Sequence, residues 1–396
     1  MEAEDIFTAL IEPAGLADPY PLYAALHELG EVIPAGGGMI LVVGYETASA
    51  VLRDPGYLVP DAERLDGIFP GWREHPSMNA ESLLNLNGEA HARIRGLMAR
   101  QFTHRRVQAL EPAIERLTDE LLDGFSGGSL DFMDAFAFAL PVTVICELIG
   151  VPKADRSAFR PLARSLTATL EPFVNDAQLA EADGAAVRLA EMFGALIAER
   201  RARPRDDLLS GLVAACDSNR LSESELIQNL ILLLVAGFET TTNLLGNGLA
   251  IALADPAAAG AVRSGEVSPA AFVEEVLRYD SPVQFTGERR PVGSAEVNGV
   301  PVTPDDHIVV MTGAANRDPR RFAEPHRFWA ERADAGPLSF GGGLHFCLGA
   351  ALARLEAAVA FPRVLRRFPG LTLLGQPERR AGVVLRGYEH LPVSVE

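Results

Sequence analysis

The sequence predicts a mainly α-helical protein with small β-sheets. Apolar residues recur at three- and four-residue spacing, the helical period, along most of the chain. Runs of β-branched residues beside turn signals, which are typical of strands, are short and few. Hydrophobic residues make up 48% of the 396 residues and charged residues 22%, a balance that indicates a globular protein and excludes a disordered one.

The predicted helices share an apolar stripe. In chain order they cover roughly 18–29, 45–53, 88–102, 105–125, 133–149, 155–170, 176–203, 221–254, 269–280 and 347–367. Ser222 and Glu225 have the spacing of a capping box at the start of the longest helix, and Asp255-Pro256 predicts its end. At about 1.5 Å per residue, this helix is roughly 50 Å long and can cross a whole domain.

Strand patterns are fewer. Residues 39–43 follow three consecutive glycines, Asn298-Gly299 has the sequence of a hairpin turn, and residues 307–311 and 383–395 are further candidates. A chain of this length could hold two or three domains of roughly 100–200 residues each. It contains no internal repeat and no low-complexity linker, so the length alone does not decide the domain count.

Charge and cysteine content limit the partners and the compartment. The net charge of −18 argues against a general nucleic-acid or membrane-surface binder. Three cysteines are an odd number and too few for a disulfide framework, which favours a reducing compartment. The acidic N-terminus has no signal-peptide pattern, and the longest apolar run, 230–238, falls short of the roughly 20 residues of a membrane span. We therefore expect a soluble cytoplasmic protein; we also expect it to be a monomer.

The segment with the clearest chemistry is 337–350, where three glycines precede Cys347 and a helical run follows it. The positive end of a helix dipole stabilises a thiolate, and glycines let the backbone come close to a bound group. A metal-ligating thiolate and an inert cysteine in a tight turn both remain open on these grounds alone. Cys146 and Cys216 lie mid-helix among apolar neighbours, which favours a packing role for both.

The pattern of Phe340, Gly343, His345, Cys347 and Gly349 resembles the haem-binding signature of the cytochrome P450 family. Four other segments match the family in order and spacing, from about residue 85 onward. The resemblance implies the cytochrome P450 fold in one domain over residues 1–396, with a single haem b between the long central helix and the cysteine loop. It makes Cys347 the iron ligand. Further cofactor contacts are implied for Phe340, Gly341, His345 and Gly349.

The centre of the long helix changes abruptly from apolar residues to Glu239, Thr240 and two more threonines. Hydroxyls inside a helix can bond to the preceding turn and loosen it, and a buried acid needs a reason. The alternative is a solvated polar face, which the apolar residues before it disfavour. The resemblance implies that Ala236 lies at the haem and that Glu239 and Thr240 are the catalytic acid–alcohol pair, organising water and delivering protons.

Glu275 and Arg278 are three residues apart and therefore share one helical face. From spacing alone, an exposed ion pair of little energetic weight is the simpler interpretation. The resemblance implies instead a buried structural network behind the haem, with Arg332 or Arg327 as the third member.

His91 and Arg95 lie four residues apart on one predicted helix, a suitable clamp for an anion, although ordinary surface basicity is the alternative. The resemblance assigns them to a haem propionate, together with His345 and Arg289. Arg290 is an alternative to Arg289. Pro337 stands where the family often has a histidine, so one propionate hydrogen bond is expected to be absent.

Residues 91–106 contain five arginines, two histidines and no acidic residue. An arginine-rich helical surface is one interpretation. The resemblance places this segment near the face where an acidic iron–sulfur protein docks, and complementary charge speeds such encounters. The chain ends at residue 396, 49 residues after Cys347, so we expect external donors: ferredoxin and ferredoxin reductase, with electrons from NAD(P)H.

The implied activity is monooxygenation with O2 of an apolar or amphipathic small molecule, as in natural-product hydroxylation or epoxidation. The resemblance places these substrate-binding residues around the pocket: Leu232, Val235, Ala236, Val283, Phe285 and Tyr388. A catalytically silent relative and a peroxide-driven peroxygenase are the alternatives. Intact Glu239, Thr240 and Cys347 argue against the first, and the acid–alcohol pair argues weakly against the second.

Overall fold

A computed structural model describes residues 2–68 and 71–395 and shows a mainly helical chain. The α-helices are α1 (Ala3–Ile11), α2 (Pro13–Ala17), α3 (Tyr20–Leu29), α4 (Tyr45–Arg53), α5 (Ala62–Ile68), α6 (Gly88–Ala99), α7 (His104–Gln108), α8 (Glu111–Asp123), α9 (Ala139–Ile149), α10 (Arg156–Thr167), α11 (Asp176–Ala202), α12 (Leu208–Asp217), α13 (Glu223–Ala254), α14 (Pro256–Ser264), α15 (Pro269–Tyr279), α16 (Thr312–Ala315) and α17 (Ala350–Arg367). A π-helical turn covers Met133–Ala137, and 3-10 turns include Gly343–His345.

The strands are short. They are β1 (Val32–Pro34), β2 (Met39–Val42), β3 (Tyr57–Leu58), β4 (Gly128–Asp131), β5 (Arg290–Pro291), β6 (Ala295–Val297), β7 (Val300–Val302), β8 (His307–Val310), β9 (Thr372–Leu373), β10 (Glu378–Arg379), β11 (Tyr388–His390) and β12 (Pro392–Val395). Two sheets have three strands, in the orders β1-β2-β8 and β4-β12-β9. The remaining strands form the pairs β3-β5, β6-β7 and β10-β11. The β2-β8 pair is parallel, with Met39 opposite His307.

The chain packs as two compact units. The first contains the residues up to Leu58, those from Glu111 to Ala137 and those from Thr240 onward. The second contains Val59–Leu110 and Phe138–Glu239. Helix α13 is divided between the units: its residues up to Glu239 belong to the second unit, and those from Thr240 onward belong to the first. A single domain over the whole chain stays a prediction.

The first unit places an apolar layer on each face of the sheet β1-β2-β8. On one face, Leu41 packs with α1 and α3 through residues such as Ile6 and Tyr23. On the other, Val42 packs with Val51 of α4 and Val302 of β7. This alternation along β2 follows from the period of two that a strand imposes on its side chains.

Helix α13 begins and ends at the residues that its capping box and Asp255-Pro256 predict. The Ser222 amide donates to Glu225 Oε2 at 2.8 Å, and the Glu225 amide donates to Ser222 Oγ at 3.0 Å, which is a complete capping box. The helix ends before Asp255, whose carboxylate caps α14. It is long and apolar enough to cross a membrane by composition, but 78% of its most apolar window is buried inside the protein. Burial explains the apolar composition.

The structure corrects the predicted helix 105–125, which is two helices. Helix α7 ends at Gln108 and α8 begins at Glu111. Pro112 has no amide hydrogen to donate to Gln108, so a continuous helix loses a hydrogen bond and meets the proline ring there. The predicted helix 133–149 likewise begins as the π-helical turn and becomes α-helical at Ala139.

Candidate active site

Cys347 lies on an ordered loop that leads into α17. Cys347 is exposed and is not part of a disulfide, and its amide donates to the carbonyl oxygen of Phe340 at 2.9 Å. His345 closes the 3-10 turn before it, and Gly349 is the N-cap of α17. The predicted arrangement of a cysteine just before a helix is therefore present, with Cys347 three residues before the first residue of α17.

The glycines before Cys347 have a steric reason. Gly341 and Gly343 have φ angles of +69° and +60°, a region that favours glycine. A Cβ on Gly343 would lie 2.4 Å from the carbonyl oxygen of Leu52, closer than atoms can approach. The loop can thus rest directly on the end of α4.

The other two cysteines differ from Cys347. Cys146 is fully buried in α9, and burial raises the pKa of its thiol to about 12. Cys216 is next to last in α12 and half-buried, so the expectation of a mid-helix position is wrong for it. Burial raises the pKa of Cys216 as well. Raised pKa values make both thiols poor thiolate ligands.

Glu275 and Arg278 form a buried ion pair and not an exposed one. Both side chains are fully buried, and the two carboxylate oxygens accept from Arg278 Nε and Nη2, each at 2.8 Å. Arg332 Nε lies 3.2 Å from Glu275 Oε2, and the Trp329 amide donates to Oε1 at 2.9 Å. Glu275 is therefore surrounded by donors on both oxygens.

Arg278 is satisfied as fully as its partner. Its Nη1 donates to the carbonyl oxygens of Asn316 and Pro325, and its Nη2 donates to that of Arg327. The Arg327 side chain pairs with Glu324 in solvent instead of reaching Glu275. Of the two predicted third members, the structure places Arg332 in the network.

Helix α13 carries the predicted acid–alcohol pair. Glu239 is fully buried and Thr240 is partly exposed. One and two turns before Glu239, Leu232 and Val235 are buried and Ala236 is partly exposed. A carboxyl and a hydroxyl thus occur at consecutive positions after an apolar turn, as the sequence predicts.

His91 and Arg95 lie in the second unit on α6. His91 is 2% exposed, and burial, together with the charge of Arg95, lowers its pKa. A lowered pKa leaves the imidazole neutral at neutral pH. If this pair binds an anion, Arg95 supplies the charge and His91 supplies one N–H.

Arg289 is a buried cation in the first unit. It is 7% exposed, and its Nη1 donates to the carbonyl oxygens of Gly287 and Glu288, both at 3.1 Å. Among the described residues no carboxylate lies within ion-pair distance of it. Burial lowers the pKa of Arg289 to about 10, with no acidic neighbour to oppose the shift. Arg290, the alternative, is less buried and lies in β5.

The predicted substrate-binding residues of the first unit take different positions. Val283 is partly exposed and bridges to Leu385. Tyr388 is partly exposed in β11, with the guanidinium of Arg379 3.8 Å from its ring centre. Phe285 is 7% exposed and packs in the core cluster around α1 and α3. Its side chain packs in that core, and the pocket positions of Val283, Phe285 and Tyr388 stay predictions.

Sequence reasoning missed a buried cluster around Asp280. Arg379 Nη2 and Arg386 Nε donate to its two oxygens at 2.9 and 2.7 Å, and Tyr20 donates to it at 2.7 Å. Burial opposes ionisation, yet the two arginines hold the pKa of Asp280 well below its usual range. The partners lie roughly 100 and 260 positions away, so no local spacing could have revealed them.

The donor set fits a haem. An exposed thiol on a glycine-rich loop can ligate iron, and a buried arginine answered by backbone carbonyls alone suits a carboxylate such as a propionate. The described residues contain no cluster of three or more histidine, cysteine or acidic side chains that could hold a metal ion by themselves. One thiolate ligand and separate anion-binding cations are the features that a haem requires.

Comparisons with known proteins agree with this chemistry. A model of the family described as Cytochrome P450 matches residues 270–380. The chain is 38% identical to cytochrome P450 monooxygenase PikC of Streptomyces venezuelae, over 95% of this chain and 91% of that protein. It is 37% identical to 6-deoxyerythronolide B hydroxylase of Saccharopolyspora erythraea, over 96% of each. The ligand-free crystal structure of Mycobacterium smegmatis CYP164A2 superposes with a TM-score of 0.90 at 36% identity, covering 99% of this chain and all of that one.

Proposed function

This chain belongs to the cytochrome P450 family and is a monooxygenase of that family, and we propose that it oxidises an apolar or amphipathic natural product as a hydroxylase or epoxidase. The observation that carries the proposal is Cys347, an exposed cysteine three residues before α17, on a loop whose conformation requires glycines. Bound haem supplies the oxidising chemistry, and a thiolate ligand donates electron density that favours O–O cleavage.

Burial and charge support the choice of residues that we propose to hold the haem. In the first unit, Cys347 ligates the iron, and Arg289 and His345 bind propionate. Arg289 is preferred to Arg290 because it is a buried cation with carbonyl partners only. In the second unit, His91 and Arg95 are the propionate candidates. A propionate would compensate the cost of burying Arg289.

Glu239 and Thr240 move protons. Glu239 is fully buried, so its carboxyl is shielded from bulk water and can pass a proton only to neighbouring groups or ordered water. The Thr240 hydroxyl, which both donates and accepts, can hold water at the next position along α13. Together they supply protons for O2 reduction and limit wasteful release of reduced oxygen.

The substrate class follows from the lining candidates and from the relatives. Leu232, Val235 and Ala236 are apolar, as is Val283, and Tyr388 adds one polar tip. The hydroxylase named above acts on 6-deoxyerythronolide B, as its name states. We assign a polyketide-like molecule of low charge to this chain, because such a molecule suits an apolar lining with few polar groups.

Electrons come from ferredoxin and its reductase, which draw on NAD(P)H. The support is the arginine-rich segment 91–106. Within it Arg93 is paired with Glu225 and Arg106 lies near Asp206, whereas Arg100 and Arg105 are exposed. Among the described residues Arg100 and Arg105 have no ion-pair partner, so an acidic protein could pair with them. We also propose a cytoplasmic monomer, and a reducing compartment is consistent with three cysteines that form no disulfide among the described residues.

Turnover with two oxidant systems tests the proposal. Polyketide lactones that shift the haem spectrum on binding are selected first, and 6-deoxyerythronolide B is the first probe. The holoenzyme is then given either ferredoxin, reductase and NADPH under isotope-labelled O2, or hydrogen peroxide alone. We expect one labelled oxygen atom in the product with the ferredoxin system and little product with peroxide. Efficient turnover with peroxide alone would establish a peroxygenase instead.

A further inference from the structure

Arg354 links helix α15 to the ring of Phe340, a connection that the Glu275 network does not make. It lies in the second turn of α17, and its guanidinium carbon is 4.3 Å from the centre of the Phe340 ring. The same guanidinium forms a two-point ion pair with Glu274 of α15, with Nη2 3.1 Å from Oε2 and Nε bonded to Oε1. We call Glu274, Arg354 and Phe340 the clasp.

Phe340, the last member of the clasp, also accepts the backbone hydrogen bond that orients Cys347. The carbonyl oxygen of Phe340 accepts from the Cys347 amide at 2.9 Å. The ring that Arg354 covers and the carbonyl that receives the Cys347 amide therefore belong to one residue. Any force that fixes the Phe340 ring also fixes the peptide against which Cys347 is held.

The other contacts of the loop anchor the residues on either side of Phe340, whereas Arg354 contacts the Phe340 ring itself. Leu338 is held by Asn316 Oδ1, and the Ser339 hydroxyl donates to the carbonyl of Leu277, so the residues just before Phe340 are anchored. Residues 343–345 rest on α4. Between these anchors, Phe340 itself is partly exposed, and its ring is covered by the guanidinium on one side and faces Phe346 at 6.5 Å.

The two-point pair gives the guanidinium its direction. A fork that bonds both oxygens of Glu274 cannot rotate freely, so its plane stays over the ring. A lysine at this position would keep the charge but not the orientation. Arg354 is 35% exposed and Glu274 29% exposed, so the pair is partly screened and contributes through position more than through strength.

We propose that Arg354, oriented by Glu274, is a positioning residue for the thiolate ligand: it clamps Phe340 and thereby holds Cys347 in the geometry that keeps its sulfur on the iron. The proposal rests on the role of Cys347 in the proposed function. It adds a residue that touches neither the sulfur nor the substrate.

The test compares Arg354→Gln with Arg363→Gln. Arg363 is on the same helix, is 30% exposed and pairs with Glu115 and Asp119, but the structure places it nine positions further from the loop. Arg354→Gln removes one partly exposed ion pair from α17 and Arg363→Gln removes two, so the control loses at least as much surface pairing. In the reduced, CO-bound holoenzyme, the thiolate-type Soret band is followed as it converts to the blue-shifted band of a protonated or displaced thiol.

We expect the conversion to be about two- to fivefold faster in Arg354→Gln, the factor that an exposed cation–π contact corresponds to. Arg363→Gln should match the wild type, Arg354→Lys should fall between, and Glu274→Gln should resemble Arg354→Gln without adding to it. Equal rates in the two glutamine variants would overturn the proposal.

Hydrogen exchange separates failure of the clasp from failure of the proposed function. The Cys347 amide should exchange about two- to fivefold faster in Arg354→Gln than in Arg363→Gln, whatever the iron ligand is. A wild-type protein without the thiolate band would contradict the proposed function. Unchanged exchange at Cys347 would still contradict the clasp.

Discussion

Two buried arginines of the first unit show opposite kinds of environment. Arg278 is fully buried, and its donors are taken by both oxygens of Glu275 and by three backbone carbonyls. Arg289 is nearly as buried but meets two carbonyls and, within the described residues, no carboxylate. The first cation is neutralised by the chain itself. The second keeps a charge for which the chain supplies no counterpart.

The difference separates folding from binding. Removing a charge from water is costly unless a partner of opposite sign compensates it. Arg278 has that partner in every state of the folded protein. Arg289 would acquire one when an anion such as the proposed propionate binds, and burial without a carboxylate partner lowers its pKa. We therefore interpret the Arg278 network as a folding element and propose that the buried charge of Arg289 marks a ligand site.

The largest effect should come from opening the closed network. Arg278→Ala removes the buried cation that bonds both oxygens of Glu275 and leaves Arg332 as its remaining ion-pair partner, so we expect the free energy of unfolding to fall by about 3 kcal/mol. Thermal or denaturant unfolding of the holoenzyme measures this. Arg327→Ala removes an exposed pair with Glu324 on the same segment and should cost at most about 0.5 kcal/mol. Similar losses in the two variants would contradict a special role for the buried pair.

Arg289→Gln tests the open charge. The variant loses a charge-assisted hydrogen bond to the ligand, so haem should dissociate about tenfold faster or more. The haem-free protein should not be destabilised, because a desolvated cation is removed. Transfer of haem to an excess of a scavenger protein gives the rate. Arg290→Gln is the matched control, and faster release from it than from Arg289→Gln would reverse the assignment.

Glu356 of α17 is a second open group, and it predicts a pH dependence. The side chain is 1% exposed, Oε2 has no hydrogen-bond partner among the described residues, and burial raises the pKa of Glu356 well above its usual range. The folded protein therefore holds this proton at pH values where the unfolded chain has released it.

The stability that this proton contributes is complete below the unfolded pKa of about 4.3 and decreases by up to about 1.4 kcal/mol per pH unit until the folded pKa is passed. Glu356→Gln cannot ionise, so its stability relative to the wild type should improve as the pH rises from about 5 to 8. Denaturant unfolding at both pH values measures the difference. A difference that is independent of pH would contradict the buried neutral acid.

The smallest effect concerns the exposed arginines of 91–106. Arg105 is exposed, whereas Arg93 is paired with Glu225. Arg105→Gln should slow ferredoxin-driven haem reduction about twofold at low salt, and raised salt should slow the wild type and remove the difference. Stopped-flow reduction measures both. A rate of haem reduction in the wild type that does not change with salt would contradict the proposed docking surface.

The sequence predicted best what local chemistry determines. Helix α4 was predicted with its observed bounds, and Asn298 and Gly299 form the predicted turn between β6 and β7 with positive φ angles. The Ser222–Glu225 capping box is likewise complete within four residues. Each of these features depends on neighbours in the chain.

Features that depend on distant neighbours were not predictable. The two-residue strand at Tyr57 exists because it pairs with Pro291, more than 230 positions away. Arg354 looks like any surface arginine until Phe340 and Glu274 are placed beside it. The packing of Phe285 in the core around α1 and α3 likewise depends on residues far away in the sequence.

The spectrum of the reduced, CO-bound protein tests the central claim most directly. The wild type and Cys146→Ser should both show the red-shifted Soret band of a haem with a thiolate ligand, because the Cys146 thiol is buried with a raised pKa. Cys347→Ser should lose that band while still folding. A thiolate-type band that survives in Cys347→Ser, or its absence from the wild type, would contradict the assignment of Cys347 as the iron ligand.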